Sequence, residues 1–325
     1  MDRRTLLASL AATGATLAAP WARAQGAYPD QMIKWVVPYP AGGGTDVIAR
    51  QLAEAMRVSL GQQIVIDNRP GASTNIGAEI VARAKPDGYT IMSADNAVLA
   101  FNEHLFNKLP FNPSKDFSYI GAIGKFPLAL VVNPDFPAQD FKSFLAYAKA
   151  NPGKLNYASP GNGSPHHLAM EMFKNRTGTF ITHIPYRGAA PAMADVMGGQ
   201  VPCMFLDLAS GLSIMQSGKV RVLAIGSAQR SKLLPNVPTL AEVGVPNSEV
   251  FAFQGILGPA GLPGPVVQRL NSELNKSFTT PAVQKRFADF GMEAMPGSPE
   301  QFFALARAES QRWGPIIKAT GVKLD

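Results

Sequence analysis

Apolar residues in this chain recur at two spacings. Short runs rich in Val and Ile at 32–37, 63–67 (QIVID) and 89–93 have the length and composition of buried strands. Between them Ile48, Leu52 and Met56 recur at helical spacing, and Ile76, Ile80 and Ala84 fall on one face of a helix predicted over 72–84. The order strand, helix, strand, helix, strand is that of a parallel sheet with helices on its faces. The unit then repeats. A strand over 155–159 precedes a helix carrying Leu168, Met172 and Asn175, widened by Ala169 and Phe173, and a strand over 180–184 follows. Further on, the pattern predicts a helix over 191–197, strands over 201–205 and 220–226, and a short helix capped by Thr239.

Two apolar segments, 117–123 and 128–132, are split by Gly124 and Pro127, and a third runs over 251–258. These are candidates for crossings between two lobes, with a short amphipathic helix at 140–150. Three helices close the chain: 265–278, 281–290, and one opened by a Ser298–Gln301 capping box and running to about Trp313. With two crossings, the tail is expected to return to the first lobe. The expected division is therefore residues 25–124 plus 252–325 in one lobe and 125–251 in the other.

The chemistry is concentrated in the loops. After the first strand, Pro38 and Pro40 stop extension, Ala41 to Gly44 turn the chain, and Thr45 and Asp46 are N-cap-type residues. A glycine loop from a strand's carboxyl end to a helix's amino end lets unpaired N–H groups approach an anion closely. The second unit has the same plan: Pro160 to Gly163 form the loop, Ser164 is the cap, and Pro165 takes the first helical position. Asn68-Arg69-Pro70-Gly71 is echoed by Pro185-Tyr186-Arg187-Gly188. Residues 93–96 follow the third strand and are expected beside the first glycine loop, because ligands of such sheets sit beyond the strand carboxyl ends. The GGGTD run meets neither the dinucleotide-binding nor the P-loop pattern, so no cofactor is expected.

Composition narrows the class. The 325 residues, 46% hydrophobic and 16% charged, suit a globular protein large enough for two domains. Residues 1–24 read as a cleavable signal peptide: Arg3 and Arg4, an uncharged apolar stretch, then Ala22 and Ala24 before Gln25. Its three arginines and one aspartate account for +2 of the formal +7, leaving +5. The remaining Lys and Arg are scattered and accompany no nucleic-acid motif. Cys203 is the only cysteine and reads as a buried core thiol. His166 and His167 are adjacent, not spaced to put two metal ligands on one helical face, so no metal site is expected.

The segments VVPYPAGGGTDVIARQLAEAM, IVIDNRPGASTNIGAE, KPDGYTIM, YASPGNGSPHHLAME, IPYRGAAPAMADVMGGQV and LPNVPTLAEVG occur in order along nearly the whole mature chain. Together they resemble the solute-binding proteins of tripartite tricarboxylate transporters, the Bug-type receptors. The resemblance implies a two-lobe, type II periplasmic binding protein fold, α/β, monomeric, closing around a small organic carboxylate and delivering it to a membrane transporter. It implies a ligand site built from Tyr39, Pro40, Ala41, Gly42, Gly43, Thr45 and Asp46 on one side. Ser159, Gly163, Ser164, Pro165 and His167 face them, with Ser93 and Asn96 on a third loop and Arg187 and Asp207 nearby. Where the family often has a polar FDN-like run, this chain has Phe205-Leu206-Asp207, and Leu206 suggests a more apolar ligand body. The alternatives are a receptor reporting to a signalling membrane protein, or an exported hydrolase. Against the hydrolase, Gly163-Ser164-Pro165 is not the G-x-S-x-G elbow.

Overall fold

Residues 28–325 are described by the structure, a computed structural model; the candidate export segment, residues 1–24, lies outside them. The strand Ile33–Val37 (β1) leads through the glycine loop into the helix Gly44–Leu60 (α1), whose buried face is Ile48, Leu52 and Met56 as its spacing predicts. Ile64–Asn68 (β2), Asn75–Ala82 (α2) and Thr90–Asp95 (β3) complete the first unit. A π-turn and the short helix Asn102–Leu105 (α3) lead to Phe117–Val132 (β4) and Phe141–Ala150 (α4). The second unit follows as Asn156–Ser159 (β5), Pro165–Thr177 (α5), Thr182–Pro185 (β6), Ala189–Met197 (α6) and Cys203–Asp207 (β7). Leu208–Gln216 (α7), Arg221–Ile225 (β8) and Phe251–Pro259 (β9) come next. Gly264–Ser277 (α8), Pro281–Asp289 (α9), Glu293–Ala294 (β10) and Pro299–Thr320 (α10) end the chain.

The strands pair in the order β2-β1-β3-β9-β4-β7-β5-β6, with β8 and β10 also paired to β4. β1 runs parallel to β2 and β3, and β5 parallel to β6 and β7, so each repeat forms its own parallel ladder. Antiparallel β9 and β4 join them. The two apolar segments predicted around Gly124 and Pro127 are one strand of 16 residues. Its residues 117–127 pair with β9 and its residues 128–132 with β7 and β8, so Pro127 marks the point where β4 changes partners. The register shifts between Ala122 and Gly124, and a Cβ on Gly124 would lie 2.5 Å from the Glu293 carbonyl of the β10 edge. Close approach of a third strand therefore keeps a glycine there without ending the ladder.

Several expectations are corrected. The segment 72–84 is not one helix: Ala72, Ser73 and Thr74 hold positive φ before α2 begins. Its buried face is Asn75, Gly77, Ala78 and Val81, while Ile76 and Ile80 are exposed at 46% and 37%. Gly77 turns inward because a Cβ there would sit 2.9 Å from Pro38, so the helix packs backbone-close on the end of β1. Thr239 and Glu242 do exchange capping bonds, Thr239 N–H to the carboxylate and Glu242 N–H to the hydroxyl, but they close a turn and no helix follows. Helix α7, unanticipated in the sequence, follows Asp207 directly. The last helix passes Pro315 and contacts β4, the π-turn and α5, and Leu324 reaches Gly163, so the tail bridges both lobes.

Candidate ligand-binding cleft

Local chemistry decides which loop amides remain free. Gly43 caps α1 in extended conformation and has no side chain to bond its N–H groups. Asp46, an N-cap candidate by sequence, stands at the third helical position, 2% exposed. Its Oδ2 accepts from Gly42 N–H at 2.8 Å and from Arg50 at 3.0 Å, and its Oδ1 accepts from Asn68 at 2.9 Å. Burial pushes this carboxyl up, but the bonds from Arg50, Gly42 and Asn68 outweigh it and hold the group below the usual range. Gly42 has φ of +82°, a conformation that favours glycine. With Gly42 turned toward Asp46, the N–H groups of Gly44 and Thr45 are left as open donors at the helix end.

Most amides of the second glycine loop are satisfied from within. The Ser164 hydroxyl accepts from His167 N–H, Ser164 N–H donates to the Gly161 carbonyl, and Pro165 has no N–H. Gly163 N–H donates to His167 Nδ1 at 3.0 Å. His167 stacks on His183 with ring centroids 4.0 Å apart, and His183 Nε2 bonds the Ser159 hydroxyl at 2.6 Å. Burial first, then the Lys174 charge, pushes His167 down to about 4, and burial with the neighbouring His167 takes His183 to about 3. Burial thus favours the neutral form of both rings, and their bonds brace the loop from behind.

The turn at Arg187 supplies what that loop does not. Gly188, at φ +115°, caps α6 without a side-chain bond, so Ala189 and Ala190 present open N–H groups. The Arg187 guanidinium beside them is exposed and makes no ion pair among the described residues. Helix α7 is closed by Asp207, whose Oδ1 accepts from Ser210 N–H at 2.6 Å. The amino ends of α1, α5, α6 and α7 all line one cavity of about 580 Å³. The lobes nearly touch across it: a Cβ on Gly44 would lie 3.9 Å from the Ser210 hydroxyl.

Of the residues singled out by sequence, Tyr39, Pro40, Ala41, Gly42, Gly43 and Thr45 line the cavity. So do Ser164, Pro165, Arg187 and Asp207. Asp46, Ser159, Gly163 and His167 stand behind the two loops and brace them. Ser93 and Asn96 are not brought to the cavity. Strand β3 runs on to Asp95, which buries Ser93 as the acceptor for Trp35 Nε1 at 2.9 Å. Asn96 is fully buried and bonds both the Phe251 carbonyl and Phe253 N–H of β9. Asp95 reaches the cavity instead, accepting from Tyr39 Oη at 2.5 Å. Burial pushes the Asp95 carboxyl up, and burial with the adjacent Asp95 charge pushes the Tyr39 phenol well above its ordinary value.

The family of tripartite tricarboxylate transporter receptors, TctC, matches residues 48–322 of this sequence. The chain belongs to that family. It is 37% identical to the protein BugT of Bordetella pertussis over 91% of each chain. Among solved structures it is similar to R. palustris Rpa4515 with adipate, at 32% identity and a TM-score of 0.86 over 91% of this chain and 99% of that one. It is also similar to MatC from Rhodopseudomonas palustris with bound malate, at 30% identity and 0.84 over 89% and 100%.

In this receptor the Phe205-Leu206-Asp207 run, expected from the sequence to give an apolar ligand body, has another role. Leu206 is fully buried, and a Cβ on Gly211 of α7 would meet its side chain at 2.4 Å. It is core, and Asp207 faces the cleft; successive strand residues point to opposite sides. Leu206 therefore says nothing about an apolar ligand. His166, Gln254, Ser210, Phe126 and the α6 amino end also line this receptor's cleft and were not anticipated. For α7 the signal was legible: Asp207 is a cap-type residue, and Leu208, Leu212 and Met215 follow at helical spacing. Gln254 carried none, because only the pairing of β9 with β3 and β4 brings it there.

Proposed function

We propose that this receptor captures a small organic carboxylate between its lobes and delivers it to a membrane transporter of the tripartite tricarboxylate type. In this reading residues 1–24 direct export to the periplasm, and the protein works there as a monomer that consumes nothing. The observation that carries the reading is the pair of uncapped helix amino ends, α1 from one lobe and α6 from the other, lining one cavity beside Arg187. Each such terminus contributes about 0.3–1 kcal/mol toward a nearby negative charge, and up to about 2 when partly buried. Charge-assisted hydrogen bonds add roughly 1.5–3 kcal/mol each, enough together for micromolar binding at about 8 kcal/mol. The ligands in the structures of Rpa4515 and MatC, adipate and malate, are carboxylates and support the class.

The two lobes meet at residues 125 and 251 in this reading, and closure is a hinge at the β4 and β9 crossings. The test is a thermal-shift screen of the exported protein against aliphatic, aromatic and amino-acid carboxylates. At 100 times its dissociation constant a ligand adds about 2.7 kcal/mol of stability. A screen in which no carboxylate raises the melting temperature refutes the substrate class, and recovery of a chemically altered ligand refutes the receptor.

A further inference from the structure

The turn before α2 holds three consecutive non-glycine residues, Ala72, Ser73 and Thr74, at φ of +47°, +50° and +77°. Side chains disfavour that left-handed region, and a run of it persists only where the surroundings fix it. Asn102 of α3, fully buried, fixes it here. Its Nδ2 donates to the Ser73 carbonyl at 2.8 Å and to Asn75 Oδ1 at 2.6 Å. The Ser73 hydroxyl then reaches out of its own lobe and donates to the Asn162 carbonyl of the other glycine loop at 3.1 Å.

The next residue of that loop is gripped as well. A Cβ on Gly163, at φ +74°, would lie 2.9 Å from Leu324 Cδ1, 3.1 Å from Leu105 Cδ1 and 3.9 Å from the Ser73 hydroxyl. Three side chains of one lobe thus converge on a dipeptide of the other, and its second residue is a glycine that lets them come so near. Leu324 is pinned to its own lobe independently of that contact. Lys323 Nζ bonds the His104 carbonyl at 3.1 Å, and Leu324 N–H bonds the Leu105 carbonyl at 3.0 Å. The Asp325 carboxylate accepts from Asn107 N–H at 2.8 Å and from Lys108 N–H at 3.1 Å. On the other lobe, Gly163 N–H is held by His167, and the chain runs straight on into Ser164 and Pro165, which line the cleft. Ser73, Leu105, Leu324, Asn162 and Gly163 themselves do not line it.

We propose that Ser73, Leu105 and Leu324 form a latch that closes on Asn162-Gly163 and sets how tightly a bound carboxylate is retained, without touching it. This rests on the carboxylate-receptor reading and on its division into two lobes. A contact made only in the closed state strengthens binding, because ligand and latch favour the same state of the protein. The left-handed turn keeps the Ser73 hydroxyl aimed at its acceptor before closure, and the bonds of residues 323–325 do the same for Leu324.

The test is calorimetric titration of the full mature protein. The probe is adipate or malate, whichever raises its melting temperature more, or, if neither does, the acid of the wider screen that raises it most. Leu324→Ala weakens binding about fivefold to tenfold and Ser73→Ala about threefold, the scale of a partly buried apolar contact and of a neutral hydrogen bond. Leu324→Met refills the volume and binds within about twofold of wild type. Gly163→Ala puts a methyl group into the seat and weakens binding. Adding Leu324→Ala to it recovers part of the affinity, because the two changes meet at one contact. General loosening of the fold gives the opposite sign, since a second destabilising change weakens binding more. Ser73→Ala removes one hydroxyl and serves if Leu324→Ala melts early. Leu324→Ala and Ser73→Ala proteins that both bind within about twofold of wild type overturn the latch and leave the receptor reading intact. So does a Gly163→Ala, Leu324→Ala protein that binds no tighter than Gly163→Ala alone. A wild-type protein that binds no carboxylate of the screen overturns both.

Discussion

Asp46 and His167 perform one task in the two lobes: each draws a glycine-loop N–H inward, from Gly42 to Asp46 and from Gly163 to His167. A loop held that way keeps its shape without a ligand. Replacing Asp46 with Ala strands the Gly42 amide, the Asn68 amide and Arg50 together. The expected loss is about 1–3 kcal/mol in urea denaturation, with weaker ligand binding alongside, because the freed amides relax the loop. His167 gives stability a pH dependence of known sign. The fold holds the ring neutral, with its value lowered from 6.5 to about 4 by burial and then by Lys174. As pH falls from 6.5 toward 4 the unfolded chain takes up a proton that the folded one refuses. Stability falls through that window, by up to about 1.4 kcal/mol per pH unit from this group, and stops falling once the folded ring also protonates. His183 acts in the same direction. Denaturation of His167→Gln across that range should show a shallower slope, and an unchanged slope would place the pH dependence elsewhere.

Four helices end at the cleft, and the difference among them is their caps. Ser164 closes α5 and Asp207 closes α7 with their own side chains, whereas Gly43 and Gly188 leave α1 and α6 open. The repeat in the sequence points to the Gly163 loop as the partner of the Gly43 loop, but the Gly161, Gly163 and Ser164 amides of that loop are already engaged. The Arg187-Gly188 turn takes its place. A carboxylate built into the first turn of α6 should therefore mimic the ligand. Ala190→Asp is expected to stabilise the unliganded protein by about 0.3–1 kcal/mol through the helix dipole, while abolishing the ligand-induced rise in melting temperature. Loss of both effects would show that the α6 end is not where the anion sits.

At the scale of the whole molecule, the long β4 is shared by both parallel ladders, so the two lobes are continuous through it and through β9. Away from these crossings, the Ser73 hydroxyl donates to the Asn162 carbonyl at 3.1 Å and joins one lobe to the other. Opening the lobes about the crossings would break that contact. Small-angle scattering should record a smaller radius of gyration with ligand than without, and identical profiles would mean a cleft that does not open. Much of this architecture was legible beforehand. Strand runs, helical spacing, the Ser164 cap with Pro165, and the Ser298–Gln301 box are local signals, because they depend on neighbours a few residues away in the chain. The family, too, could be read from motifs in order. What the chain alone determined was thus the elements, their repeat, and two loops rich in free amides. Which amides stay free, which face of α2 is buried, and that Asp95, Gln254 and Asp207 line one cleft were settled only by folding. Those outcomes depend on hydrogen bonds and strand pairings between residues far apart in sequence, which no local pattern encodes.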